Sequence, residues 1–144
     1  MQTIGYEGSP AYLGKWQKLL LNECRDRGWN LYVNQGKHSD FDICVAFRDV
    51  QFNGYAQRHW KSNVKLSNCH GSGTPFIGQS ESGYLETSTG MEQWVDDPRE
   101  LRDALDRLTS QHYREEVSRA FIEQPITVQQ SAAELQRFIE SIVC

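Results

Sequence analysis

The stretch TIGYEGSPAYLGKWQKLLLNECRDRGWNLYVNQ, residues 3–35, decides the fold class, because it reads as a strand, a glycine turn, a helix and a second strand. Ser9 and Pro10 predict the helix start, with a capping hydroxyl followed by a proline whose missing N–H costs nothing there. Apolar residues then recur at helical spacing, at Leu13, Trp16, Leu20 and Cys24. Gly28 ends that pattern, and NLYVNQ is the second strand.

Three further apolar runs predict strands: FDICVAFR at 41–48, TPFIGQ at 74–79 and the shorter EQWVDD at 92–97. The segment 49–60 is polar and is predicted to be a loop, followed by a short helix from Ser62 to about His70. Strands alternating with helices predict an α/β protein: a Rossmann-like three-layer sandwich with a parallel sheet of about four to six strands and helices on both faces.

The last third of the chain is predicted to be helical. Asp97-Pro98-Arg99-Glu100 is typical of a helix start, with an Asp cap, a proline at the first position and a glutamate that closes the capping box. A second helix is predicted from about His112 to Gln124 and is broken by Pro125. The final helix carries its apolar residues on one face, at Leu135, Phe138, Ile139, Ile142 and Val143.

Composition excludes several classes of protein. The 144 residues suit one domain, and they contain neither a run long enough to span a bilayer nor a secretory leader, so we expect a cytoplasmic protein. The four cysteines form no C-x-x-C pair, so no metal site and no cofactor are predicted. The first 72 residues have a charge of +3 and the last 72 a charge of −7, which does not suggest nucleic-acid binding.

Parallel sheets bind ligands at the carboxyl ends of their strands, which places Gly5–Ser9, Gln35–Asp40, Arg48–Lys61 and Gln79–Thr87 in one rim. Four basic residues and one acid lie between Arg48 and Lys65, which is enough charge for one or two phosphates and also compatible with a solvated loop. The junction GYEGSP, residues 5–10, combines a glycine that permits close approach with a helix start suited to phosphate. It is equally compatible with a tight turn.

The glycines of GSGTPFIG, residues 71–78, precede a strand, whereas those of a dinucleotide-binding motif follow one. We therefore predict that Gly71 and Gly73 end a helix, and that the following loop QSESGYLE contacts a ligand. Around it, Lys65 is suited to a diphosphate, while Glu86 and Asn68 are suited to sugar hydroxyls. Taken singly, each of the three is also an ordinary surface residue.

The segment KSNVKLSNCHGSGTPFIGQSESGYLE, residues 61–86, followed by WVDDPRELRDALDRL, resembles the C-terminal, donor-binding half of GT-B-type glycosyltransferases. Those enzymes show a helix, a small-Gly-[ST]-Pro-apolar strand, a Gly-containing loop ending in Glu, and an acidic-Pro-x-Glu-Leu helix start. The likeness extends to SRAFIEQPITVQQSAAELQRFIES and covers nearly the whole chain. It is clearest from Lys61 to Leu108.

The resemblance implies a single donor-binding domain over residues 1–144 of a hexosyltransferase-type enzyme that transfers sugar from a nucleotide diphosphate without a metal ion. The residues implied for the donor site are Gly8, Ser9, Arg48, Lys61, Lys65, Asn68, Ser82, Gly83 and Glu86. Asn68 stands where many retaining members carry the second glutamate of a pair, and Trp60 stands where they carry the first.

No catalytic residue is assigned, because in the enzymes that the chain resembles a general base normally comes from the acceptor-binding half, which we expect to lie outside residues 1–144. The acceptor is unknown, and we expect a separate acceptor-binding domain or self-association through an exposed apolar surface. The alternative is a non-catalytic Rossmann-like module that binds a nucleotide or a partner. A receiver or flavodoxin-like domain is less consistent with the sequence, because the first strand does not end in an acidic cluster.

Overall fold

A five-stranded sheet forms the centre of the molecule. The structure is a computed structural model, and it describes residues 1–123 and 128–143. The strands are Thr3–Tyr6 (β1), Asn30–Val33 (β2), Ile43–Ala46 (β3), Phe76–Gly78 (β4) and Gln93–Trp94 (β5). Every neighbouring pair is parallel, in the order β2-β1-β3-β4-β5. The predicted α/β class and parallel sheet are therefore confirmed.

Helices cover both faces of this sheet. They are Pro10–Leu13 (α1), Lys15–Arg27 (α2), Tyr55–Trp60 (α3), Val64–Ser72 (α4), Ser82–Leu85 (α5), Glu100–Arg107 (α6), Gln111–Glu123 (α7) and Val128–Val143 (α8). Ion pairs join α2 to α6, and α4 packs against α7. Because β1–β2 and β3–β4 crossovers run in opposite directions along the sheet and are both right-handed, α2 and α4 lie on opposite faces.

Local signals in the sequence explain most helix ends. Gly28 ends α2 in the left-handed conformation, with φ of 66°. The reciprocal bonds of the predicted capping box are present: the Asp97 carboxylate accepts the Arg99 N–H at 2.8 Å, and the Glu100 carboxylate accepts the Asp97 N–H at 3.0 Å. They lie in the turn before α6, which begins at Glu100 with Arg99 as its N-cap residue.

The first predicted helix is in fact two helices. Gly14, with φ of 47°, separates α1 from α2 because Asp49 packs against it, and a Cβ there would lie 2.1 Å from the Asp49 carboxylate. Ser9 was expected to cap the helix with its hydroxyl, which is wrong: the side chain makes no capping bond. Instead, the Tyr6 hydroxyl donates to the Ser9 carbonyl at 3.1 Å.

The predicted loop at 49–60 is also partly wrong, because it contains a 3-10 turn at Val50–Phe52 and the helix α3. The next helix begins at Val64 rather than Ser62, and it includes Gly71. Gly73 alone ends it, with φ of 67°. The predicted break at Pro125 lies outside the described residues.

The apolar side chains of β1, β3, β4, α2, α4, α6 and α7 form one buried core. By contrast, the apolar face predicted for the last helix is exposed to solvent: Leu135, Phe138, Ile139 and Ile142 are each between 47% and 65% exposed. Over residues 1–123 and 128–143, no helix combines the length and the hydropathy needed to cross a membrane.

Candidate functional site

The candidate site lies where the direction of chain crossover reverses. After β1 the chain crosses to β2 on one side, whereas after β3 it crosses to β4 on the other, although β1 and β3 are neighbours. Ligands of open parallel sheets bind outside the carboxyl ends of the strands at such a point. Gly8 follows β1 there, and Arg48 follows β3.

Lys65 reaches this point from the first turn of α4. Its Nζ lies 3.0 Å from the position that a Cβ on Gly8 would occupy, and 4.5 Å from the centre of the Tyr6 ring. Gly8 has φ of 143°, a conformation that other residues rarely adopt. Gly8 and Lys65 are therefore neighbours in the structure, and a side chain at position 8 would crowd both the ammonium group and the Tyr6 hydroxyl, which is also 3.0 Å away.

The Lys65 ammonium group has no hydrogen-bonded or ion-paired partner within residues 1–123 and 128–143. Burial and the neighbouring Arg48 guanidinium lower the pKa of Lys65 to about 8, although Glu81 and Glu7 act in the opposite direction. A partly buried cation that lacks a carboxylate partner is a candidate binding group for an anion.

Gly8 does not offer a free amide. Its N–H donates to the Asn34 side-chain oxygen at 2.8 Å, and the Asn34 amide donates back to the Gly8 carbonyl at 2.7 Å. Asn34 itself has φ of 55° and immediately follows β2. Gly8 thus provides room for close approach, while Ser9 lies exposed beside it on the rim.

Arg48 is already paired. Its guanidinium donates to the carboxylate of Glu81, which is only 3% exposed, and its backbone N–H donates to Gln79 at 2.7 Å. Although burial opposes the charge, the bond to Glu81 raises the pKa of Arg48. The charge predicted to face a diphosphate is therefore largely neutralised, and Arg48 serves to hold Glu81.

Glu81 is a candidate residue that the sequence reasoning missed. One carboxylate oxygen bonds Arg48, but the other, Oε2, is buried and has no hydrogen-bond partner in the described part of the chain. Leaving a buried acceptor unpaired is costly, so such groups usually have a functional explanation. The available signal was an acidic residue three positions after a fully buried strand, inside the loop already selected for ligand contact.

The short helix α5 packs on the end of α3 and brings three further predicted residues together. A Cβ on Gly83 would lie 2.5 Å from the Lys61 carbonyl oxygen, so only glycine fits there. The Ser82 hydroxyl is 3.0 Å from Nδ1 of His59. Lys61 and Arg48 both line a small cleft of about 90 Å³ beside α3.

Two predicted residues lie elsewhere. Glu86 is exposed and lines a separate cleft of about 660 Å³ between α4 and α8, together with Asn63 and Ser67. Asn68 is exposed on α4 and does not line that cleft. The structure therefore groups Gly8, Lys65 and Arg48 at the rim, and it separates Glu86 and Asn68 from them.

Another concavity, of about 780 Å³, lies at the opposite edge of the sheet. Asp42 and Pro75 line it, and they precede β3 and β4, so this cleft is at the amino ends of the strands. Parallel sheets rarely bind ligands at that edge, and volume alone does not outweigh the chemistry of the carboxyl rim.

Two exposed aromatic rings also border the rim on α3. Tyr55 is 70% exposed and Trp60 is 77% exposed, with ring centres 5.9 Å apart. Sequence reasoning missed them as site candidates because the segment was predicted to be a loop. Exposed aromatic rings provide stacking surfaces for planar groups.

Comparison with known proteins identifies the fold. No protein-family model and no curated protein matches the chain. Among solved structures, it is similar to the crystal structure of AviGT4, a glycosyltransferase involved in avilamycin A biosynthesis, with a TM-score of 0.60 and 13% sequence identity. The chain has a glycosyltransferase-like Rossmann fold.

The similarity covers 99% of this chain but 52% of the AviGT4 chain, so this chain spans about half the length of that structure. It confirms the fold that the sequence resemblance implied. At 13% identity it carries no information about individual residues.

Proposed function

We propose that this chain is the donor-binding domain of a glycosyltransferase and binds a nucleotide-diphosphate sugar at the carboxyl rim of the sheet. One observation carries the proposal: the unpaired ammonium group of Lys65 lies against Gly8 at the crossover point between β1 and β3. A cation beside an unobstructed backbone is a suitable binding site for a diphosphate.

In this proposal Lys65 supplies the positive charge that stabilises the departing nucleoside diphosphate, so transfer needs no metal ion. Gly8 lets the phosphates approach the ammonium, and Ser9 and Lys61 lie along the same rim. Ser82 and Gly83 hold the loop after β4 in place through their contacts with α3.

Glu81 contacts the sugar in this proposal. Its Oε2 is an acceptor with no donor among residues 1–123 and 128–143, and a sugar hydroxyl is a donor of the right kind. Arg48 orients the carboxylate through their ion pair. The contacts first expected from Asn68 and Glu86 require a part of the nucleotide to extend along α4 toward the second cleft.

The acceptor is bound in this proposal by a second domain that docks on the exposed apolar face of α8, formed by Leu135, Phe138, Ile139 and Ile142. A contiguous apolar face of this kind is typical of an interaction surface. Self-association through α8 is the competing outcome, and sedimentation of the Phe138→Glu variant distinguishes the two: only a self-associated protein becomes smaller.

Isothermal titration against UDP-, GDP- and ADP-linked sugars, with and without Mg²⁺, tests the proposal. We expect one of them to bind equally well in both conditions. Loss of a charge-assisted contact costs about 1.5–3 kcal/mol, so Lys65→Ala should weaken binding by roughly ten- to a hundredfold. Lys18→Ala, which removes an exposed lysine from α2, is the matched control and should bind like the wild type.

No heat with any of the nucleotides would refute the proposal, and equal binding by Lys65→Ala would remove the phosphate assignment. The non-catalytic module is the second candidate, because bonds to Asn34 and Glu81 already occupy the Gly8 amide and Arg48. Binding that depends on Lys65, without sugar transfer or donor hydrolysis in the presence of any acceptor domain, would favour it.

A further inference from the structure

Three residues with metal-binding side chains meet beneath the rim, although they are far apart in sequence. They are His38 in a 3-10 turn at His38–Asp40, Cys44 in β3 and Cys69 in α4. One ring nitrogen of His38 and the two Sγ atoms all lie within 4.8 Å of one another. Two sulfurs and an imidazole are ligands preferred by zinc and other soft ions.

This cluster is almost closed to solvent. Cys69 is fully buried, Cys44 is 4% exposed, and the His38 side chain is 12% exposed. The Cys44 thiol donates to the His38 carbonyl at 3.8 Å, and burial raises the pKa of Cys69 well above its ordinary value. Two thiolates and one divalent cation together carry no net charge, which suits an interior of low dielectric constant.

The surrounding structure holds His38 in place. Thr74 donates its hydroxyl hydrogen to the His38 carbonyl at 2.9 Å, and Oε2 of Glu7 lies 3.3 Å from Nδ1 of His38. A carboxylate on one ring nitrogen is the usual partner of a histidine that binds metal through the other nitrogen. Glu7 therefore leaves Nε2 as the nitrogen for an ion.

The spacing requires only a small contraction. In a tetrahedral site with Zn–S bonds of about 2.3 Å, the two sulfurs are about 3.8 Å apart. The ligand atoms here, at up to 4.8 Å, need to approach one another by about 1 Å, which side-chain rotation and a slight shift of α4 can supply.

We propose that His38, Cys44 and Cys69 form a binding site for one Zn²⁺ ion, with Glu7 as the residue that positions His38. Three protein ligands leave the fourth coordination position to water. The ion joins β3, α4 and the turn after β2, so its role is to stabilise the fold beneath the rim. The proposal does not depend on the donor-binding function, because none of its three ligands belongs to the proposed diphosphate site.

Cobalt substitution tests this site directly. The full chain carrying Cys144→Ser, a position outside the described residues, is reduced, freed of metal with a chelator and titrated with Co²⁺ and then Zn²⁺. We expect a thiolate-to-cobalt charge-transfer band, the intense visible bands of tetrahedral cobalt, and saturation at one ion per chain. Binding of either ion to the metal-free protein should release protons from the thiols and raise the melting temperature, and Zn²⁺ should then displace the cobalt.

Variants then assign the ligands. We expect the charge-transfer band to disappear, or Zn²⁺ binding to weaken by more than about a hundredfold, in each of the variants Cys44→Ala, Cys69→Ala and His38→Ala. Glu7→Gln should weaken Zn²⁺ binding by about 10–100-fold. Cys24→Ala is the matched control, because Cys24 is also buried but lies in α2, away from the cluster. It should bind Zn²⁺ with unchanged affinity.

Two results would overturn the proposal. One is the absence of a charge-transfer band in the reduced protein, a measurement on the parent chain that does not depend on whether any variant folds. The other is a cobalt spectrum that persists after Cys44 and Cys69 have been replaced. If a Cys44–Cys69 disulfide forms on oxidation and no band appears after reduction, the two thiols are a redox pair and the metal assignment is wrong.

Discussion

Raising the pH from 7 to 9 should weaken binding of the nucleotide-diphosphate sugar about tenfold, because Lys65 loses its proton in this range. Burial and the Arg48 guanidinium place the pKa of Lys65 at about 8 in the free protein. The ammonium form is then about 90% populated at pH 7 and about 10% at pH 9. If only the charged form binds the diphosphate, the apparent affinity follows that fraction.

Titration of the groups next to Lys65 does not account for a fall in donor affinity between pH 7 and 9. Burial raises the pKa of Tyr6 above its usual value, so this phenol stays protonated, and the Arg48 pKa is raised by Glu81 against the effect of burial. The diphosphate of an ADP-linked sugar is esterified at both ends, and its charge is constant over this range. Lys65 is therefore the group whose titration is expected to control affinity.

Isothermal titration at pH 7, 8 and 9 measures this effect, in two buffers of different ionisation enthalpy. Because a bound anion favours the charged form, the protein should take up about half a proton on binding near pH 8. Lys65→Arg is the matched control. Because its guanidinium stays charged from pH 7 to 9, its affinity for the donor should not change with pH. An equal fall in affinity for the arginine variant, or no fall for the wild type, would refute the reasoning.

Three further predictions concern stability and backbone geometry. Burial opposes ionisation of Glu92, but hydrogen bonds from His70 and Ser88 lower its pKa to about 2. Urea denaturation should therefore show that Glu92→Gln lowers the free energy of unfolding by about 3 kcal/mol at pH 7. This difference should shrink as the pH falls from about 4.5 to 2. A pH-independent difference would show that the charge is not the cause. Gly83→Ala should lower the free energy of unfolding by about 1–3 kcal/mol, because its Cβ would lie 2.5 Å from a backbone carbonyl oxygen. Gly71→Ala, inside α4 with open space around it, should raise the same quantity by up to about 1 kcal/mol. Equal effects of the two variants would contradict this description of the packing. Gly8→Ala should reduce donor affinity, because its Cβ would crowd the Lys65 ammonium group at 3.0 Å in a backbone conformation that alanine rarely adopts. Unchanged affinity in calorimetry would separate position 8 from the site.

The elements predicted correctly from the sequence are those determined by local interactions. Each of the five strands is an apolar run, Gly28 ends α2 through its own left-handed conformation, and Asp97 with Glu100 forms a capping box within four residues. The helix α3 was missed because it buries none of its residues, so it carries no apolar stripe for a pattern to detect.

The parts of the site that were missed depend on contacts between distant positions. Asn34 bonds Gly8 across 26 positions, and Arg48 pairs with Glu81 across 33. Neither contact can be detected from the periodicity or the spacing of residues in the sequence. Together they change the roles expected of two residues: Gly8 allows close approach without offering a free amide, and Arg48 supports a carboxylate. Lys65 lies at the carboxyl rim because α4 follows β3, so that its first turn begins at that edge of the sheet, and its role in binding stays a prediction.

A crystal soaked with the nucleotide-diphosphate sugar that binds best in titration tests the central claim most directly. We predict electron density for the two phosphates beside Gly8, within hydrogen-bonding distance of the Lys65 ammonium. Density for the ligand in the cleft at the amino ends of β3 and β4, or anywhere else remote from Lys65, would contradict it.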